Sequence, residues 1–140
     1  MGLAAGLVAM FFYQLGVRVE YGQERAAGEL DYYLWRQALD SYQTESRPVA
    51  IYVLKEYLDN AERLRGRSNS YIITTESRDG MMHMHAMLAR LYADSGETNL
   101  SAEHLKTALE YAKGTGDHPA VTNQATLWDL IDHEYGKRGN

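Results

Sequence analysis

The sequence predicts an all-α protein: an N-terminal hydrophobic helix that crosses a membrane, followed by antiparallel helical hairpins. Three observations carry that prediction. Apolar residues recur at the i, i+3, i+4 spacing of amphipathic helices through much of residues 29–135. Only 2 residues are Pro, so few positions interrupt these periods. The first nineteen residues, MGLAAGLVAMFFYQLGVRV, hold no charged side chain before Arg18 and one strongly polar one, Gln14. At 140 residues, 45% hydrophobic and 24% charged, the chain has the composition of a folded protein and the length of one domain plus an extra element.

Residues 1–19 form the first element. At a rise of ~1.5 Å per residue, a helix of this length reaches roughly 25 to 29 Å, close to the ~30 Å hydrocarbon core of a bilayer. A secretory signal peptide needs a basic start and a small-residue cleavage site. Here no Lys or Arg precedes the apolar run, which ends in Phe11, Phe12 and Tyr13. Gly2 with Gly6, and Ala5 with Ala9, make two small-xxx-small pairs, the face on which a second membrane helix packs closely. Arg18 and Arg25 follow the segment and no basic residue precedes it. The positive-inside rule then leans towards a single-pass protein with a cytoplasmic body. The competing reading is a soluble module whose N-terminal helix is buried in its own core or in a homodimer.

The body, residues 20–140, reads as a series of helices. In DYYLWRQALDSYQ, Leu34, Ala38 and Ser41 or Tyr42 share one stripe, with Leu30, Trp35 and Leu39 beside it. Gly22 and Gly28 either mark a joint with the first element or are absorbed in one long helix. A stop and restart is expected at TESRPVA, where Ser46 can cap and Pro48 suits a first turn. The next helix, about 47–65, carries Val49, Val53, Tyr57 and Leu64 along one stripe and Ala50, Leu54, Leu58 and Ala61 along another. Residues 66–79 read as an irregular linker, with Asp79 capping a helix over 80–94. A turn at 95–98 leads to a helix over 99–113, ended by Gly114 and Gly116. The last helix is expected over 119–135, with Val121, Ala125, Trp128, Ile131 and Tyr135 as its apolar positions.

The pair at 82–113 resembles a tetratricopeptide (TPR) repeat, a helix-turn-helix unit of ~34 residues with small residues where its helices touch. The matching positions are Leu88, Ala89 and Tyr92, then Gly96 at the turn, then Ser101, Leu105, Ala108 and Leu109. The proline that follows the family's second helix is absent, Lys113 and Gly114 standing there instead. Residues 31–64 look like a weaker copy through Leu34, Ala38, Ala50, Leu54 and Tyr57. The resemblance implies a scaffold that presents stacked helices to a partner protein, an implication about role rather than chemistry.

The side-chain inventory narrows the function further. A net charge of −5 argues against nucleic acid, whose partners carry a basic stripe. The absence of Cys removes disulfides, thiolate metal sites and thiol nucleophiles. GMMHMHAM, residues 80–87, packs two His and four Met into eight positions, a soft-metal motif if extended. On a helix His83 and His85 diverge, and only Met81 with His85 or His83 with Met87 share a face. Core packing therefore accounts for the Met residues and a near-surface position for the His pair. Asp129 with His133 is the best-spaced acid and base, and it reads as a solvated helix face. No phosphate loop, nucleophile elbow or zinc-protease signature is present. The expectation is a non-enzymatic protein with no cofactor and no metal.

Its partners are expected to be the bilayer and other protein subunits of a membrane complex. Tyr32, Tyr33, Trp35 and Tyr42, drawn from 11 Tyr and 2 Trp, are the candidate contacts, because such rings are enriched at interfaces. Arg63, Arg65 and Arg67 form the one basic cluster, set either to complement a helix C-terminus or to meet an acidic partner.

Overall fold

A computed structural model describes residues 2–65, 71–115 and 118–136, with their side chains outside 2–21, 24, 64–65, 71–77 and 115. The described residues are all-α, in five helices with no strand. They are α1 (Gly2–Thr44), α2 (Arg47–Arg65), α3 (Tyr71–Asp94), α4 (Thr98–Thr115) and α5 (Gln124–Tyr135).

α1 is one helix of 43 residues, about 65 Å long at ~1.5 Å per residue. It absorbs both the N-terminal element and the first helix of the body. Gly22 and Gly28 do not break it; each weakens a helix by about 1 kcal/mol against Ala, too little to interrupt so long a ladder. Among the described residues no helix is long and apolar enough to cross a membrane. The segment expected to do so, with the packing face of Gly2, Ala5, Gly6 and Ala9, has its side chains outside that set.

The α1–α2 boundary falls where TESRP suggests. Glu45 N–H still reaches Ser41 O at 3.1 Å, and Ser46 O accepts the first bond of the new helix from Ala50 N–H at 2.9 Å. Pro48 therefore lies in the first turn, where its missing N–H leaves no gap. α3 and α4 are joined by a Schellman turn. Gly96 takes φ +78, its N–H donates to Ala93 O, and Glu97 N–H donates to Tyr92 O at 2.9 Å.

Three boundaries differ from expectation. α3 begins at Tyr71, so Asp79 lies inside a helix rather than capping one. The Ser/Thr-rich stretch before it has poor but tolerable propensity, a few tenths of a kcal/mol per residue, and a helix once nucleated extends through it. Gly114 stays within α4. α5 begins only at Gln124, because Asn123 caps it: Thr126 N–H donates to Asn123 Oδ1 at 3.1 Å, and Asn123 N–H donates to Thr126 Oγ1 at 3.1 Å.

α3 is the hub, touching each of the other four helices. Met81, Met82, Met84, Ala86, Met87, Leu88 and Leu91 are all fully buried, so this helix is enclosed on every side rather than along one stripe. Around it stand Ala38, Leu39 and Tyr42 of α1, Leu54, Tyr57 and Leu58 of α2, Ala108 and Ala112 of α4, and Leu127 and Ile131 of α5. The α3–α4 register is set by small residues. Ser101 Oγ donates to Ala89 O at 2.8 Å, an approach that larger side chains at either position would prevent. α5 is tied back by Arg90, which pairs with both carboxylate oxygens of Asp132 and lies 5.6 Å from the Trp128 ring.

Candidate functional site

The expected contact residues divide into exposed and buried groups. Tyr32 and Tyr33 are 61% and 64% exposed on α1, and Tyr52 of α2 is 63% exposed. Leu30 and Val49 are exposed one turn before Tyr33 and Tyr52, giving each helix a bare apolar pair at i, i+3. Trp35 is half-buried, stacked on Tyr32 and edge-on to Tyr135. Tyr42 has no exposed surface, and its hydroxyl adjoins the Arg90 guanidinium. It is therefore a core residue and not a surface contact, because the inward stripe of α1 passes through it. Arg63 is exposed, its Nε donating to Asp59 O at 3.1 Å, while the side chains of Arg65 and Arg67 lie outside the described residues.

The histidines, expected near the surface, are the larger surprise. His83 is 2% exposed at the point where α3, α5 and the turn before α5 meet. Val121 N–H donates to His118 O at 3.0 Å, and this turn brings His118 back onto α3. His118 Nε2 lies 2.7 Å from Asp79 Oδ1. One helical turn on, His83 Nδ1 is 3.6 Å from Asp79 Oδ2, while its Nε2 is 3.0 Å from Glu134 Oε2. The His83 and His118 rings stand edge to face, 5.6 Å apart, and Tyr135 closes the other side of His83 at 5.3 Å. Despite these approaches, neither His83 ring nitrogen is aligned for a hydrogen bond to the Asp79 or Glu134 carboxylate, and the Asp79 backbone exerts only a weak pull on the ring. A buried polar atom left so costs about 1–3 kcal/mol. Burial pushes the His83 pKa down, against the opposing pull of the Asp79 and Glu134 carboxylates.

A shell of aromatic residues seals the far side of this cluster. A methyl at Gly80 would overlap the Tyr57 hydroxyl and come within 3.5 Å of Trp35 Cδ1. Glycine in the middle of α3 is thus what admits these two rings. Burial raises the Tyr57 pKa, with Asp31 and Asp79 adding to the shift. Tyr135 is raised by burial and by Glu134. Both phenols stay protonated at neutral pH and can donate to the carboxylates.

A second pair of histidines lies further along α3. His85 Nδ1 and His104 Nδ1 are 2.8 Å apart across the α3–α4 seam, so one ring donates a proton to the other and the pair is not doubly charged. Tyr111 stacks on His85 and Tyr92 on His104. Burial, then the His104 charge, lowers the His85 pKa to about 4. Burial lowers His104 as well, with Lys55 acting in the same direction and Glu103 against it.

On α5, Asp132 is committed to Arg90. Asp129 and His133 line a cleft of about 520 Å³ together with His118, Pro119, Val121 and Thr126. The Asp79–His83 pair is also spaced i, i+4, a signal visible once Asp79 is placed within a helix. His118 and Glu134 are remote in sequence and come together only through the turn at 118–121. No family model matches the chain, and neither does any curated protein or solved structure compared with it.

Proposed function

We propose that the protein is a non-catalytic, membrane-anchored accessory or scaffold subunit. It binds other proteins through its TPR-like hairpins and through its N-terminal helix. The observation that carries this reading is the continuity of α1: residues 2–19 of the apolar stretch belong to the same helix that bears Leu30, Tyr32 and Tyr33 as exposed side chains. An anchor and an aromatic docking surface are then rigidly joined. Exposed Val49 and Tyr52 on α2 extend the surface available to a partner. The small-residue contact of Ser101 with Ala89 supports the hairpin likeness of 82–113. Within this reading Gly2, Ala5, Gly6 and Ala9 face a neighbouring membrane helix, and the body lies on the cytoplasmic side.

The anchor is tested with the full chain by flotation on liposomes and by alkaline extraction of membranes. Wild type is expected to remain in the bilayer, and Val8→Asp to be released, since a carboxylate at the bilayer centre costs about 3 kcal/mol. Release of wild type by alkali removes the anchor from the proposal. Docking is tested by a photo-crosslinker at Tyr33 or Tyr52 in intact membranes. A discrete heterologous adduct, absent with the crosslinker at Glu56, is expected; an adduct with a second copy of the chain favours the homodimer instead.

A further inference from the structure

We infer that Asp79, His83 and His118 form a binding site for a divalent transition-metal ion of the zinc type, with Glu134 orienting His83 from behind. One carboxylate oxygen and two imidazole nitrogens, all within 4.8 Å of one another, are the donors such an ion prefers over magnesium or calcium. Ligands about 2.0–2.1 Å from a tetrahedral ion stand roughly 3.3 Å apart. The separations of 2.7 Å from His118 Nε2 to Asp79 Oδ1 and 3.6 Å from His83 Nδ1 to Asp79 Oδ2 lie on either side of that value, one on each oxygen of the carboxylate.

The roles of the atoms follow from the asymmetry around His83. Glu134 lies 3.0 Å from Nε2 and the Asp79 carboxylate 3.6 Å from Nδ1, so the closer carboxylate favours the Nε2–H tautomer electrostatically, the one that leaves Nδ1 as a lone pair facing Asp79. This carboxylate–imidazole–metal order is how a protein fixes the tautomer of a histidine ligand. His83 is 2% exposed and neither ring nitrogen is aligned with a carboxylate, and an ion on Nδ1 supplies a strong partner there. Burial also favours the neutral ring that ligation requires. His118 belongs to the wall of the 520 Å³ cleft, so the site is reached from solvent on the His118 side. The site joins α3, the turn before α5 and α5 itself.

The test uses the untagged full chain in detergent, stripped with chelator, and Zn²⁺ alone as probe. Calorimetry is expected to show one equivalent bound more tightly than about 1 µM. His118→Ala and Asp79→Asn should each weaken binding at least about 100-fold, and Glu134→Gln about 10-fold. Co²⁺ in the wild-type chain is expected to give the intense visible bands of a four- or five-coordinate nitrogen–oxygen site, a readout that needs no variant to fold. The inference is overturned by the absence of saturable binding at 100 µM Zn²⁺ (about a hundredfold above the expected constant). It is equally overturned by a six-coordinate Co²⁺ spectrum, or by undiminished binding in a folded His118→Ala or Asp79→Asn chain.

Discussion

α3 and α1 are both long helices with apolar and aromatic side chains, yet their environments are opposite. From Gly80 to Tyr92 almost every residue of α3 is buried, including His83. Among the described side chains of α1 full burial begins at Ala38, and Leu30, Tyr32 and Tyr33 are bare. Hydrophobicity does not separate the two, since a histidine lies in the core while a leucine and two tyrosines face out. Place in the bundle does: α3 packs against the other four helices, whereas the core residues of α1 among the described side chains all lie in its final turns. The free energy of folding is therefore concentrated around α3, and the exposed side chains of α1 are spare as far as stability is concerned.

That contrast is open to direct attack. The largest effect is expected from Leu88→Ala, which removes a fully buried side chain and should cost about 2–5 kcal/mol in chemical denaturation; a loss below ~1 kcal/mol would place the core elsewhere. Next comes pH. His85 has a folded pKa of about 4 against ~6.5 unfolded, so between those values the unfolded chain binds the extra proton. Stability from this group is complete above about pH 6.5 and falls as pH drops towards 4, by on the order of 3 kcal/mol. His85→Leu should flatten the slope of melting temperature against pH in that window, and an unchanged slope would assign it to other groups. Gly80→Ala gains helix propensity but pushes on Tyr57 and Trp35. A net loss of about 1–3 kcal/mol is expected, and a more stable variant would mean that the rings yield freely. The smallest effect belongs to α1: Tyr33→Ser, at a 64% exposed position, should alter stability by no more than about 0.5 kcal/mol. Measured crosslinking to a partner should nevertheless fall, which divides folding from recognition.

The hairpins were legible because their signals are local. TESRP marks one turn and the Gly96 turn marks another through chain stiffness and positive φ alone, and the inward positions Leu54, Leu88 and Ala108 follow from a 3.6-residue period. The polar centre was not legible, for two physical reasons. A helix start at Asp79 and a helix running through Asp79 differ by tenths of a kcal/mol per residue, yet only the second sets Asp79 beside His83. His118 and Glu134 then join by a turn whose direction is fixed by Val121 burying itself and Asn123 capping α5. Neither is a periodic signal. Tyr42 was misjudged for the converse reason: as an aromatic near exposed tyrosines it resembled them, and only the phase of the α1–α2 contact puts it inside.

An unbroken α1 has a mechanical consequence as well. A body carried on a Gly/Ser tether can swivel freely, whereas one carried on a continuous helix inherits the azimuth of whatever grips the far end. Each residue inserted between Gly22 and Leu30 would turn Tyr32 and Tyr33 by about 100° and lift them ~1.5 Å, while seven residues would restore their heading to within ~20° at ~10 Å greater reach. In the proposed anchored role, α1 is a torsional shaft that specifies the direction in which the aromatic surface looks as well as how far it stands from the anchor.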